Sequence, residues 1–285
     1  MEILGQSDPS PSWDEHEKSF FNPCDPDPCW LLEQEGFDPS REREMETLFS
    51  LGNGRLGIRG SSDLLIPTSQ ADLLISGIYD QKAITLPYSG REWVTPRLRE
   101  GMETEIVPFP SPFLWQAQLS ETVLSRENQT LVESKRTLDL RKAILYEQQI
   151  LLDLKGRRTR MRSLRLCSQA SHSCLIQKIE LTAENYSAVV TLQFPLYPEP
   201  FDQNYPHLIL KNKTFENARR QVTFETRGSK KTLVMEHLTL DPFELLKTEN
   251  LVQILCPGKP IQICRIITLR SELTYPRSQV QLVPR

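Results

Sequence analysis

The chain has 285 residues, 38% hydrophobic and 25% charged, with a net charge of −3. That length buries a core without disulfide or metal staples, in one large domain or two small ones. No window approaches 18 uninterrupted apolar residues, which excludes a membrane-spanning helix. The first 21 residues are acidic and lack the apolar stretch of a secretory signal, so a cytoplasmic location with no membrane partner is expected.

The charge is uneven. Residues 1–46 hold 13 acids against three bases, while the remainder is net basic. Residues 1–28, rich in Pro and acids and poor in large apolar side chains, read as an extended arm. Such an arm is ordinarily a solvated tail; a mask over a basic surface of the same molecule is the sharper alternative. Order is expected from about Trp30, giving a folded domain over 29–272 and a tail or linker start over 273–285.

Short apolar or alternating runs then follow in chain order. They are 73–79, 113–119, 144–150, 175–181, 188–194, 221–226, 232–240 and 261–269, with turn residues between them. The run 243–247 is the best short helical candidate, and no apolar stripe of helical period lasts beyond about three turns. Twenty-one prolines agree with strands and tight connections. The expected fold is all-β, a large antiparallel β-sandwich.

Residues 52–57, Gly-Asn-Gly-Arg-Leu-Gly, match the dinucleotide fingerprint in letters only. Gly60 and Pro67 leave no room for the helix whose amides would hold a pyrophosphate. The physical reading is a tight turn built on Gly52, Asn53, Gly54, Gly57 and Gly60, with Gly57→Val expected to unfold the domain. Residues 155–165 carry six bases in eleven positions, and in an extended strand Arg158, Arg160 and Arg162 share one face. A phosphate track is one reading; an outward face paired with acids on neighbouring strands is the plainer one, and nucleic acid is not expected as a partner.

No nucleophile or metal signature is present, and His16, His172, His207 and His237 are isolated. His237 sits in an alternating run and reads as a packing residue. Cys24 and Cys29 have the spacing of a zinc half-site, but the other cysteine pairs are too widely spaced to complete it, so no metal, cofactor or catalytic residue is expected. The pair Glu103 and Glu105 says little about glycoside chemistry among 37 acids.

One segment is more specific. Glu46-Thr-Leu-Phe-Ser-Leu-Gly-Asn-Gly-Arg-Leu-Gly-Ile-Arg-Gly60 resembles the N-terminal signature of glycoside hydrolase family 65, which includes the maltose, trehalose and kojibiose phosphorylases. Segments 76–80 and 86–87, Arg136-Thr-Leu-Asp-Leu-Arg141, 156–168, 180–187 and 265–271 resemble later motifs of that family in the same order. The resemblance covers about 30–272 and implies a supersandwich of the galactose-mutarotase-like kind.

Three places depart from the family pattern. Arg55 replaces an aromatic residue, Lys142-Ala143 replaces x-Gly, and Ser271-Glu272 stands where Ser-Arg-Asp is usual. In the family an (α/α)6 barrel follows the sandwich and supplies the general-acid Glu; no position here matches it. The resemblance therefore implies a non-catalytic module docking on a separately encoded helical barrel. The alternatives are a stand-alone module for an α-glucoside or glucan, and a remnant of a truncated gene. Arg55 and Arg59, with Tyr79, Trp93 and Trp115, are the candidate interface or sugar-contacting residues, and Trp30 is a further aromatic of that kind.

Overall fold

The computed structural model describes residues 21–23, 27–64, 69–85, 100–120, 122–198, 205–216, 218–241, 244–246, 248 and 250–271. Most of the expected arm, the whole expected tail, Trp93 and Cys24 lie outside these residues. A 3-10 turn at Pro28–Trp30 leads into β1 (Leu31–Glu35), and a second at Pro39–Arg41 leads into helix α1 (Glu42–Leu48). Next come β2 (Leu51–Gly52), β3 (Leu56–Ile58), β4 (Asp72–Thr85) and β5 (Glu100–Pro110), which form a four-stranded sheet in chain order.

The chain then crosses to β6 (Gln116–Leu119) and β7 (Thr122–Val123), followed by β8 (Thr130–Asp139), β9 (Ile144–Leu152), β10 (Arg158–Cys167) and β11 (Cys174–Ala183). After β12 (Ala188–Gln193) come β13 (Leu208–Glu216), β14 (Arg219–Thr226), β15 (Thr232–Asp241), β16 (Glu244–Leu245), β17 (Asn250–Leu255) and β18 (Ile261–Ser271). A ten-stranded sheet runs β1-β8-β9-β10-β11-β18-β15-β14-β13, with β16 attached to β15. A second four-stranded sheet runs β17-β12-β6-β7. All the strand pairings within these sheets are antiparallel. The fold is all-β and sandwich-like, with no described helix long and apolar enough to cross a membrane.

Both small sheets pack on one face of the large one, and the core between them is split in two. One cluster centres on Phe49, Leu73, Phe109, Phe224 and Met235; the other centres on Leu119, Leu151, Ile179, Val190 and Ile263. Between them a polar row crosses four adjacent strands of the large sheet. Arg165 on β10 stands opposite Gln177 on β11, which stands opposite Arg265 on β18, which stands opposite Thr239 on β15. All four are buried. A buried polar row is costly unless it is hydrogen-bonded, and here backbone carbonyls of the chain crossovers between the sheets accept from Arg165 and Arg265.

Two expectations change. The run 243–247 is not seen as a helix: Glu244–Leu245 pairs antiparallel with β15, its register fixed by Leu240 opposite Leu245. Gly57 is not a turn residue but sits within β3, where an added Cβ would meet Leu74 Cβ at 3.9 Å, an ordinary contact. The turn is made instead by Gly54, at φ +83°, and the close approach by Gly60.

Candidate functional site

The glycine-rich segment is held by a buried charge network. Asn53 Oδ1 accepts from the amides of Arg55 (3.1 Å) and Leu56 (2.9 Å), closing the β2–β3 turn. Asn53 Nδ2 donates to Ser168 O (2.8 Å) and so ties that turn to the end of β10. Gly60 N donates to Glu46 O on α1 at 2.8 Å, and Arg136 Nη1 donates to Gly60 O at 2.8 Å. Arg136 Nη2 reaches both carboxylate oxygens of Glu42 at 3.0 Å. Arg136, the first residue of the Arg-Thr-Leu-Asp motif, therefore clamps α1 and the glycine segment onto β8.

One step further along, Arg165 donates to Ser61 O (2.6 Å) and to Glu147 Oε2 (2.9 Å). Ser62 Oγ donates to Glu147 Oε1 at 2.5 Å, and the Asp63 amide donates to Glu147 Oε2 at 2.9 Å. Burial opposes ionisation of Glu147, but Arg136, Arg165 and these donors outweigh it and hold the carboxyl below its usual range. Neighbouring Asp63 moves the other way, pushed up by burial against the pull of Arg165.

The same logic fixes the second crossover, residues 111–115. Arg265 donates to Pro112 O (2.9 Å), Leu114 O (3.0 Å) and Gln177 Oε1 (2.6 Å). Burial, with Arg220 nearby, brings the Arg265 guanidinium down to about 9. Burial and the same two arginines drive the His237 imidazole well below its ordinary value, so it is neutral and its Nδ1 faces Arg265 Nη2 at 3.1 Å. His237 is thus a positioned packing residue, not a base.

These crossovers shape one side of a cleft of about 580 Å³. Asp63 and Trp115 line it from the crossovers, Phe194 and Tyr197 from the segment after β12, and Phe215 and Arg220 from the β13–β14 hairpin. Trp115 Nε1 donates to Asp63 Oδ1 at 3.2 Å, and Arg220 donates to Phe194 O (3.0 Å) and Thr248 O (3.1 Å). Asp63 is the one carboxylate lining the cleft among the described residues.

The residues singled out in sequence do not converge. Trp115 lines the cleft, but Arg55, Arg59 and Tyr79 do not. Arg55 Nη2 donates to Ser271 Oγ (3.3 Å), and Arg59 Nη2 donates to Arg43 O (2.9 Å), both bonds made within the domain. Tyr79 is 45% exposed on β4, and Trp30 is 41% exposed beneath the Arg141 guanidinium. Arg158, Arg160 and Arg162 do share a face of β10, paired with Glu184 and Glu180 on the neighbouring strand and its end. Burial pushes the Cys167 thiol to about 12 and raises Cys174 and Cys264, which fits unreactive packing thiols.

Residues 32–271 match the family model for the glycosyl hydrolase family 65 N-terminal domain. The chain belongs to that family. It is 28% identical over 170 residues to a kojibiose phosphorylase of Thermoanaerobacter brockii, covering 59% of this chain and 19% of that one. It is 24% identical over 167 residues to a kojibiose phosphorylase of Caldanaerobacter subterraneus subsp. tengcongensis, covering 59% of this chain and 20% of that one. A solved structure described as "Putative kojibiose phosphorylase from human microbiome" superposes with a TM-score of 0.71 at 17% identity. That match covers 85% of this chain and 32% of the other, and it shows a shared fold. The chain thus spans about a fifth of the length of the curated relatives it matches.

Proposed function

We propose that this chain is a non-catalytic sandwich module of an α-glucoside phosphorylase or hydrolase system, and that it docks on a helical catalytic barrel. The observation that carries the docking is the outward face of the β17-β12-β6-β7 sheet. Val189 stands beside Ile254, and the next row runs Val252, Thr191, Gln118, Val123 across all four strands. Val189, Val252 and Ile254 are 48%, 61% and 68% exposed. The remaining outward positions, Asn250, Gln193 and Gln116, are amides, so no outward side chain on these four strands is charged in a chain that is 25% charged.

Lone exposed apolar residues are ordinary, but a contiguous uncharged face of a sheet marks an interaction surface. The strands hold six, six, four and two residues, and at about 4.8 Å by 3.3 Å per residue they give a face of roughly 290 Å². A stable interface buries about 800 Å² per partner, so the contact extends over neighbouring surface. The cleft rim is that neighbour, since Gln116, Gln193 and Asn250 belong to both.

The non-catalytic reading is supported by the cleft, where the described residues offer one carboxyl group and glycoside hydrolysis ordinarily opposes two. The test is turnover by the full chain alone on kojibiose, maltose and trehalose, with and without phosphate. No release of glucose or glucose phosphate is expected; turnover by a clean preparation overturns the reading. A stand-alone glucan-binding module is the second reading, favoured by the rings of Tyr197 and Phe215 in the cleft. Retardation of the chain on an α-glucan affinity gel would select it.

A further inference from the structure

Edge strands are ordinarily protected by shortness, bulges, Pro or charged side chains, because their free backbone groups invite pairing. Here β2 and β7 are two residues long, and β5 carries Pro108 and Pro110. Strand β1 carries Glu33 and Glu35, while β13 carries Lys211 and Lys213 and a register shift between Leu210 and Asn212. Strand β17, Asn250-Leu-Val-Gln-Ile-Leu255, is the exception. It has six residues, no Pro, no charge and an unbroken register against β12, and among the described residues no strand pairs with its far side.

The register shows which backbone groups face that open side. Ser120 N donates to Val189 O at 3.2 Å, which turns the Val189 backbone toward β6. Successive residues of an antiparallel strand turn their N–H and C=O to opposite sides, so Val190 and Leu192 turn toward β17 and meet Gln253 and Leu251 there. Asn250, Val252 and Ile254 therefore turn their backbone groups to the open edge. Thr248 Oγ1 donates to Asn250 O at 2.6 Å, whereas the N–H and C=O of Val252 and Ile254 meet no partner among the described residues. The same two residues have exposed side chains.

We infer that this edge pairs with the same edge of a second copy of the chain, antiparallel about a two-fold axis at Val252. Such an axis sets the strand against its own image, where any charge would meet a like charge, and β17 has none. Val252 then stands opposite Val252 of the second copy and Asn250 opposite Ile254, so every open residue finds a backbone partner. The Asp241 carboxylate accepts from the Gln253 amide at 2.5 Å, but Gln253 shares the core side of β17 with Leu251 and Leu255. The edge is about 20 Å long and about 10 Å thick, a strip of roughly 200 Å² per copy. That is well under the about 800 Å² per partner of a stable complex, so the pair is a weak dimer in exchange with monomer, held mainly by main-chain bonds. It joins two four-stranded sheets into one continuous sheet. The docking proposed for the outward face is a separate matter, since it uses the side chains of that face and not the backbone of its edge.

Sedimentation equilibrium of the full chain from about 1 to 300 µM tests it, a range set by the weakness of so small an interface. A reversible monomer–dimer equilibrium is expected. Val252→Lys and Val252→Glu, each alone, set like charges face to face and weaken the dimer by about fivefold or more. An equimolar mixture of the two variants restores it, because a position opposite itself then pairs Lys with Glu. In the unmodified chain, amide hydrogen exchange at Val252 and Ile254 slows as concentration rises, while Leu251 and Gln253, already bonded to β12, stay unchanged. A chain that is monomeric throughout, a mixture that associates no better than either variant, or association without slower exchange at those two amides overturns the inference. Should a variant misfold, the exchange comparison on the unmodified chain decides alone.

Discussion

Replacing Gly60 by alanine tests the account of the glycine segment with a single methyl group. An added Cβ would lie 2.2 Å from Phe49 O, 2.5 Å from Phe49 C and 2.6 Å from Phe49 Cβ, so backbone has to move. Overpacking of this kind costs about 1–3 kcal/mol. The movement also draws Gly60 O from the buried Arg136 guanidinium, a charge-assisted bond worth about 1.5–3 kcal/mol. The combined loss is about 2.5–6 kcal/mol, which at about 2–4 °C per kcal/mol lowers the melting temperature by roughly 5–24 °C. Scanning calorimetry with Gly57→Ala as control reads it directly. Gly57 has an ordinary neighbour at 3.9 Å and no left-handed φ, so the control is expected to be neutral or stabilising by up to about 1 kcal/mol. A Gly60→Ala melting point within about 2 °C of the parent chain would refute the close-approach argument.

The φ of Ala143 is +54°, a conformation that costs an L residue about 1–2 kcal/mol. Ala143→Gly is therefore expected to stabilise the chain by about 0.5–1 kcal/mol after the greater unfolded-state freedom of glycine is subtracted; a destabilised variant in urea melts would contradict this. Asp80 on β4 accepts from the amides of Gly228 (3.1 Å) and Ser229 (2.7 Å), in a site where a Cβ on residue 228 would stand 2.5 Å from Asp80 Oδ1. Burial opposes its ionisation, but those amides outweigh it and hold the carboxyl below its usual 3.8. The folded state then binds the proton less tightly than the unfolded chain. Its contribution is full above about 3.8 and is lost as pH falls through the lower folded value. Asp80→Asn is expected to cost about 1–3 kcal/mol at neutral pH and progressively less as pH falls below about 3.8; a constant difference across that range would contradict the assignment.

Much of the strand pattern was legible because alternation is a local signal. The runs 73–79, 144–150, 175–181 and 232–240 all lie inside observed strands, β4, β9, β11 and β15. Helix α1 was not legible for a physical reason. Its buried face is Glu42, Met45 and Glu46, so two of its three inward residues are acids and no apolar stripe exists to read. Edge strand β1 was hidden for a related reason, since none of its residues is buried.

The polar row was readable but unread. Arg265 sits in phase with Ile261, Ile263, Ile267 and Leu269, and period 2 alone puts that arginine on the core face. Gln177 stands likewise among Leu175, Ile179 and Leu181. The cleft was beyond local reading, because its walls come from residues 63–64, 114–116, 123–125, 193–198, 213–215, 220 and 250, which only the strand order brings together. Trp115 was found for its chemistry, whereas Arg55 and Arg59 were drawn in by a glycine pattern whose role is structural.

The measurement that tests the central claim most directly is a calorimetric titration of the full chain against a family 65 helical catalytic barrel produced without its own sandwich. The parent chain is compared with a Val252→Glu, Ile254→Glu variant. Both positions are more than half exposed, so the double variant is expected to melt within about 0.5 kcal/mol per site of the parent. Saturable binding by the parent chain that the double variant loses is the predicted result. Binding of equal strength by both chains, or by neither, would contradict docking through the uncharged face of the smaller sheet.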